Sequence, residues 1–117
     1  MEALRFFILD SKVGEALEGM IRIAAEELEY NVRTKLSTEP ELARLPRDYD
    51  GYLIHLSNTS EEALRELREE QPWSRIFGIS GAGIDINLKY LDTIYYIMGL
   101  EDAKSIIRKT REIYVKD

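Results

Sequence analysis

The sequence contains no cysteine. Disulfides, thiolate metal sites and cysteine nucleophiles are excluded with it. No apolar run approaches the ~20 residues that a membrane helix needs. The first ten residues, MEALRFFILD, place no basic region before a long apolar core and end in no small-residue cleavage site. No secretion signal is read there, and a cytoplasmic chain is expected. An excess of positive charge is also missing, since the formal net charge is −6. Nucleic-acid binding leans on phosphate contacts from Lys and Arg, so this domain alone is not expected to bind DNA or RNA. The one locally basic stretch, Lys104 to Lys116, interleaves with Glu112 and reads as a solvated helix face. Repeats, linkers and low-complexity tracts are absent, which leaves one domain over 1–117. The charged end at Val115-Lys-Asp117 suits either a whole protein or a domain of a larger regulator.

What is present is an ordinary globular composition, 44% hydrophobic and 32% charged. Abundant Glu, Lys, Arg, Ile and Tyr without Cys resembles a thermophile's composition. The chain is organised around Gly51-Tyr-Leu-Ile-His-Leu-Ser-Asn58, read as the central strand of a parallel sheet. Its carboxyl end, at His55 to Asn58, is where such a fold places a site. Residues 4–9 form a nearly continuous apolar run, the mark of a strand buried on both faces. Asp10 or Ser11 can cap the helix expected over 12–29, where Val13, Leu17, Ile21, Ala24 and Leu28 recur at helical spacing. Residues 32–36 alternate as a strand nearer the sheet edge. The pattern of 38–45 predicts a short helix, with Pro40 in its first turn and Pro46 as its stop.

Thr59-Ser-Glu-Glu62 has the form of a capping box, with Thr59 as the cap. The helix it opens carries Ala63, Leu64 and Leu67 inward and ends before Pro72. Residues 73–79 read as the fourth strand, and Ser80-Gly-Ala-Gly83 as a loop. Only a turn or two of helix fits in 84–92. Residues 93–98 are β-branched and aromatic, hence a fifth strand, broken at Gly99. The last helix is expected over 101–115. Alternating strands and helices predict an α/β fold, (βα)₅, with a parallel sheet in the order 2-1-3-4-5 and a short or missing fourth helix.

Three segments carry a more specific signal: Tyr49-Asp-Gly-Tyr-Leu-Ile-His55, Glu62-Ala-Leu-Arg-Glu-Leu-Arg-Glu-Glu-Gln-Pro72 and Arg75-Ile-Phe-Gly-Ile-Ser80. In order and spacing the chain resembles, over essentially its whole length, a response-regulator receiver domain of two-component systems. These segments correspond to that family's third strand, third helix and fourth strand. The resemblance implies a flavodoxin-like, CheY-like three-layer sandwich. Family receivers hold Mg²⁺ with an acidic pair after the first strand and accept a phosphoryl group on an aspartate ending the third. A Ser or Thr after the fourth strand and a Lys after the fifth bind the phosphoryl oxygens. The chemistry asks for oxygen ligands around a hard ion and cations around transferred phosphate.

Carried over by position, most of that set is replaced. Asp10 matches one member of the acidic pair, but its neighbour is Ser11. His55 stands at the acceptor position, Ser80 at the hydroxyl position and Met98 at the lysine position. Asp50 precedes the third strand and belongs to the opposite end of the sheet. The resemblance therefore implies a degenerate receiver pocket of Asp10, Ser11, His55, Ser80 and Met98. No aspartyl phosphorylation, metal, cofactor or catalytic residue is expected, and the chain is not read as an enzyme.

Each residue has two readings. His55 is a ligand-binding or pH-responsive imidazole, or a strand-end histidine bonded to Asp10 or a serine hydroxyl. Asp10 binds a cation weakly or caps its helix. Ser80 with Gly81-Ala-Gly83 cradles an anion or is simply a flexible loop. Tyr90, Tyr95 and Tyr96 form an interface or cover a sheet left bare by a short helix. Trp73 reads as edge packing.

Three functional readings follow. The first is a phosphorylation-independent pseudo-receiver, a signalling and regulatory protein–protein interaction module. Its protein partner or homodimer would engage the 84–98 region and the last helix, and any switch would lie in 81–92. The second is a small-molecule or anion-binding regulatory domain using Asp10, His55, Ser57, Asn58 and Ser80. A small hydrolase built from the same groups is a third, without a G-x-S-x-G elbow to support it.

Overall fold

The computed structural model describes residues 3–80 and 88–115. Strands β1 (Leu4–Leu9), β2 (Val32–Ser37), β3 (Gly51–His55), β4 (Arg75–Ile79) and β5 (Thr93–Tyr95) form one sheet. Its order is β2-β1-β3-β4-β5 and every pairing is parallel. This is the predicted fold class and strand order. Helices α1 (Gly14–Leu28), α2 (Glu61–Glu70) and α3 (Leu100–Val115) cover the sheet, with short 3₁₀ turns at Leu56–Asn58 and Leu88–Tyr90.

Alternation along the strands splits the apolar residues into two cores. Phe6, Ile8, Leu53 and Phe77 face α1 and α3, where Leu17, Ile21, Ala103, Ile106 and Ile107 meet them. Phe7, Leu9, Tyr52, Ile54 and Ile76 face α2 through Ala63, Leu64 and Leu67. Residues 4–9 are apolar in near-continuous sequence because β1 feeds both cores.

Four local expectations are corrected. Residues 38–45 are not helical. Their backbone groups are taken by the end of β3: Asn58 Nδ2 donates to Pro40 O at 2.8 Å, Leu42 N to Asn58 O at 2.8 Å, and Thr59 Oγ1 to Leu42 O at 3.0 Å. Leu42 and Leu45 still pack inward, which is why their spacing imitated a helix. Thr59, so engaged, does not cap α2; Ser60 does, its hydroxyl accepting from Ala63 N at 3.1 Å. Strand β4 starts at Arg75 because Ser74 folds back on Gln71 O through both its N–H and its hydroxyl, leaving Trp73 48% exposed rather than packed. Strand β5 stops at Tyr95, whose carbonyl accepts Ser80 N beyond the end of β4, so 96–98 have no strand to pair with on that side.

The amino-terminal end of the sheet is tied by buried polar groups. Asp50 is buried; its Oδ2 accepts Arg5 N at 2.7 Å and its Oδ1 accepts the Tyr114 hydroxyl. Tyr52 is fully buried, donates to Pro46 O at 2.8 Å and accepts from Gln71 Nε2 at 3.2 Å. Burial holds the Tyr52 hydroxyl above its ordinary pKa, so the folded chain keeps this proton where the unfolded chain releases it. Its contribution is complete below about pH 10 and is lost as pH rises through the raised folded value. Tyr52→Phe is expected to lower the melting temperature at neutral pH by a few degrees. It should also shrink the alkaline loss of stability, followed by denaturant melts between about pH 8 and about pH 12. Tyr95, also raised by burial, accounts for part of what remains.

Candidate functional site

The carboxyl ends of the strands bring together Asp10, Ser11, His55, Ser57, Asn58 and Ser80, and each takes part in local structure first. Asp10 ends β1 fully buried. Its Oδ1 accepts Lys12 N at 2.8 Å and Val13 N at 2.9 Å, shaping the turn that leads into α1. The residue preceding α1, Val13, offers no side-chain cap, so Asp10 acts one turn earlier than a helix cap would. Among the described residues, Asp10 Oδ2 is buried without a hydrogen-bond partner.

His55 is half-buried at the end of β3. Its Nδ1 lies 2.6 Å from Ser57 Oγ and accepts Ser57 N at 3.3 Å, which closes the 3₁₀ turn after β3. Of the two bonding partners expected for this histidine, the serine hydroxyl is the one found. Ser57 itself is exposed. Asn58, buried, is a clasp: its Oδ1 accepts Ser11 N at 3.0 Å, and its Nδ2 donates to Ser11 Oγ at 3.0 Å and to Pro40 O at 2.8 Å. It joins the β1 turn, the β3 end and the 38–50 segment, a role not readable in the sequence because Ser11 lies 47 positions away.

Ser80 is buried, its N–H bonded to Tyr95 O at 3.0 Å. Residues 81–87, with the Gly81-Ala-Gly83 cradle and most of the expected 81–92 switch, lie outside the described residues. Met98 is half-buried and packs against the α1/α3 core, offering a thioether and no cation. Among the described residues no group of three or more His, Asp or Glu is placed to hold a metal ion.

The three tyrosines divide. Tyr90 packs into the α2 core, and its carbonyl accepts Arg68 Nη2 at 3.1 Å. Tyr95 packs on the other core, 6.5 Å from the Phe77 ring. Tyr96 is 69% exposed, and the neighbouring Ile97 is 90% exposed. Ile97 was hidden from sequence reasoning by its β-branched context, which suggested a strand; it instead forms with Tyr96 an apolar projection beyond β5.

A groove of about 290 Å³ opens at the opposite end of β4 and β5, lined by Arg75, Asp92, Thr93, Lys109 and Glu112. Arg75 pairs with Asp92 and Glu112 across it, and Lys109 Nζ lies 3.4 Å from Thr93 Oγ1. Asp92 accepts Ile76 N at 2.7 Å and Arg68 Nη2 at 2.8 Å, with Arg75 Nη1 at 3.4 Å. This is a joint holding β5 onto β4, formed by residues too far apart in sequence to predict.

No family model and no curated protein matches the chain. Among solved structures it is similar to a response regulator receiver domain protein from Clostridium thermocellum. The two are 9% identical, superpose with a TM-score of 0.72, and the match covers 97% of this chain and 98% of that one. That likeness establishes a shared receiver-type fold. No helix among the described residues is long and apolar enough to cross a membrane.

Proposed function

We propose that the chain is a pseudo-receiver: a regulatory module that works through protein–protein contacts without aspartyl phosphorylation and without catalysis. The observation that carries this reading is His55 at the end of β3, with its Nδ1 engaged by Ser57 inside the turn. A side chain so held offers neither a carboxylate to phosphorylate nor an oxygen ligand for a hard cation. Met98, packed on the α1/α3 core, gives no countercharge for a phosphoryl group. The receiver fold supports a signalling role, and the exposed Tyr96 and Ile97 supply the apolar surface through which a partner would engage the 84–98 region.

The unpartnered Asp10 Oδ2 favours a second reading, a small polar ligand whose donor meets that oxygen beside Ser11 and Ser80.

Incubation with acetyl phosphate and Mg²⁺, followed by intact mass, tests the first reading. The mass is expected to stay unchanged. A stoichiometric phosphoryl adduct would overturn it.

A further inference from the structure

The absence of a helix between β2 and β3 leaves the sheet uneven on one side. On the face that α2 covers, β2 presents Arg33 and Lys35, both exposed. Arg33 is paired in register with Arg5 of β1, and Lys35 with Phe7. The 38–50 segment packs Leu42, Leu45 and Tyr49 around Phe7 and Leu9 and leaves Arg33 and Lys35 exposed. Arg33 and Lys35 have no ion partner among the described residues, in a chain whose net charge is −6. The same face thus carries a basic step at β2 and, beyond the 38–50 segment, a ridge formed by α2.

That ridge is acidic. Glu61, Glu62, Glu69 and Glu70 are exposed on α2, against Arg65 as its one exposed cation. Glu70 is held by Arg47, and Glu62 lies 3.8 Å from Arg65. Glu61 and Glu69 have no ion partner among the described residues.

We propose that a second copy of this chain seats its α2 on the bare face of β2, reciprocally, as a two-fold dimer. A two-fold axis over the 38–50 segment, parallel to the strands, sets each ridge on the other copy's step. Glutamates of one copy then meet Arg33 and Lys35 of the other in two equivalent places, as a self-complementary interface requires. Each α2 fills the layer position that the partner's missing helix leaves open. Lys and Arg on an edge strand deter the addition of another strand. They place no such bar against an acidic helix laid on the face.

Sedimentation velocity across a concentration series tests this, at low salt and at about 0.5 M salt, where surface pairs are screened. The wild type is expected to dimerise at low salt and to weaken at high salt. Arg33→Glu/Lys35→Glu and Glu62→Lys/Glu69→Lys are each expected to weaken the dimer by at least about tenfold. An equimolar mixture of the two variants restores opposite charges at both contacts and should dimerise again, which only folded chains can do. A wild type that stays monomeric at low salt overturns the proposal. So does a dimer that either variant leaves intact, or a mixture that stays monomeric.

Discussion

Gly51→Ala is expected to destabilise the domain by about 3 kcal/mol, a fall of roughly 10 °C in melting temperature. A Cβ at position 51 would stand 2.4 Å from Phe6 Cε1, 2.7 Å from Phe6 Cδ1 and 3.1 Å from Thr110 Oγ1. Phe6 and Thr110 are both fully buried. The ring cannot swing into solvent, and it is wedged among β1, β3 and α3 in the core that also holds Ile106 and Ile107. Thr110 is fixed in turn by donating to Ile106 O at 2.8 Å. Close-packed interiors relieve such overlap only by moving backbone or forcing a rotamer. The control is Gly19→Ala in the middle of α1, where nothing lies within 4 Å of the added atom. Helix propensity alone then acts, and that variant is expected to gain about 0.5–1 kcal/mol. Thermal and denaturant melts of the two variants beside the wild type give the comparison. Equal small effects would mean that β3 and α3 are less tightly apposed than the geometry indicates.

Gly51 also shows what the sequence could and could not disclose. The strands were legible because burial on two faces writes itself as apolar runs, and β1, β3 and β4 each feed both cores. Helix α1 was legible from its period, within a residue or two at each end. The segments that failed are those governed by distant partners. Residues 38–45 carry helix-like spacing, but Asn58 and Thr59 take the backbone groups that a helix would have used internally. Residues 96–98 carry strand-like residues, but β4 ends before them and no ladder remains. The site was legible in part for the same reason. Positions fixed by strand ends, such as Asp10, His55 and Ser80, fall together at one end of the sheet as expected. What each side chain bonds to was not legible. Asp10 and His55 share that end, yet His55 turns to Ser57, two residues along its own chain, and Asp10 to its own turn.

Ser11→Asp/His55→Asp/Met98→Lys is expected to acquire Mg²⁺-dependent phosphorylation by acetyl phosphate, read as a phosphoryl adduct by intact mass, where the parent is expected to take up none. Asp10 is in place, with one carboxylate oxygen buried and without a hydrogen-bond partner among the described residues. Carboxylates at 11 and 55 would add the oxygen ligands a hard cation asks for, and a lysine at 98 would add the countercharge for the transferred group. Replacing His55 removes the Nδ1 bond to Ser57, while the bond from position 11 N to Asn58 Oδ1 involves only backbone there and can persist. Three carboxylates close together repel, so without metal the variant is expected to melt below the parent. Mg²⁺ should restore several degrees to the variant and none to the parent, because it binds only the folded, carboxylate-lined form. The two readouts separate two causes. An Mg²⁺-dependent rise in melting temperature without an adduct would mean that the ion site is rebuilt but the acceptor is misplaced. Neither response would mean that the path of the chain at the strand ends, shaped by the Asn58 clasp, excludes the chemistry independently of these three side chains.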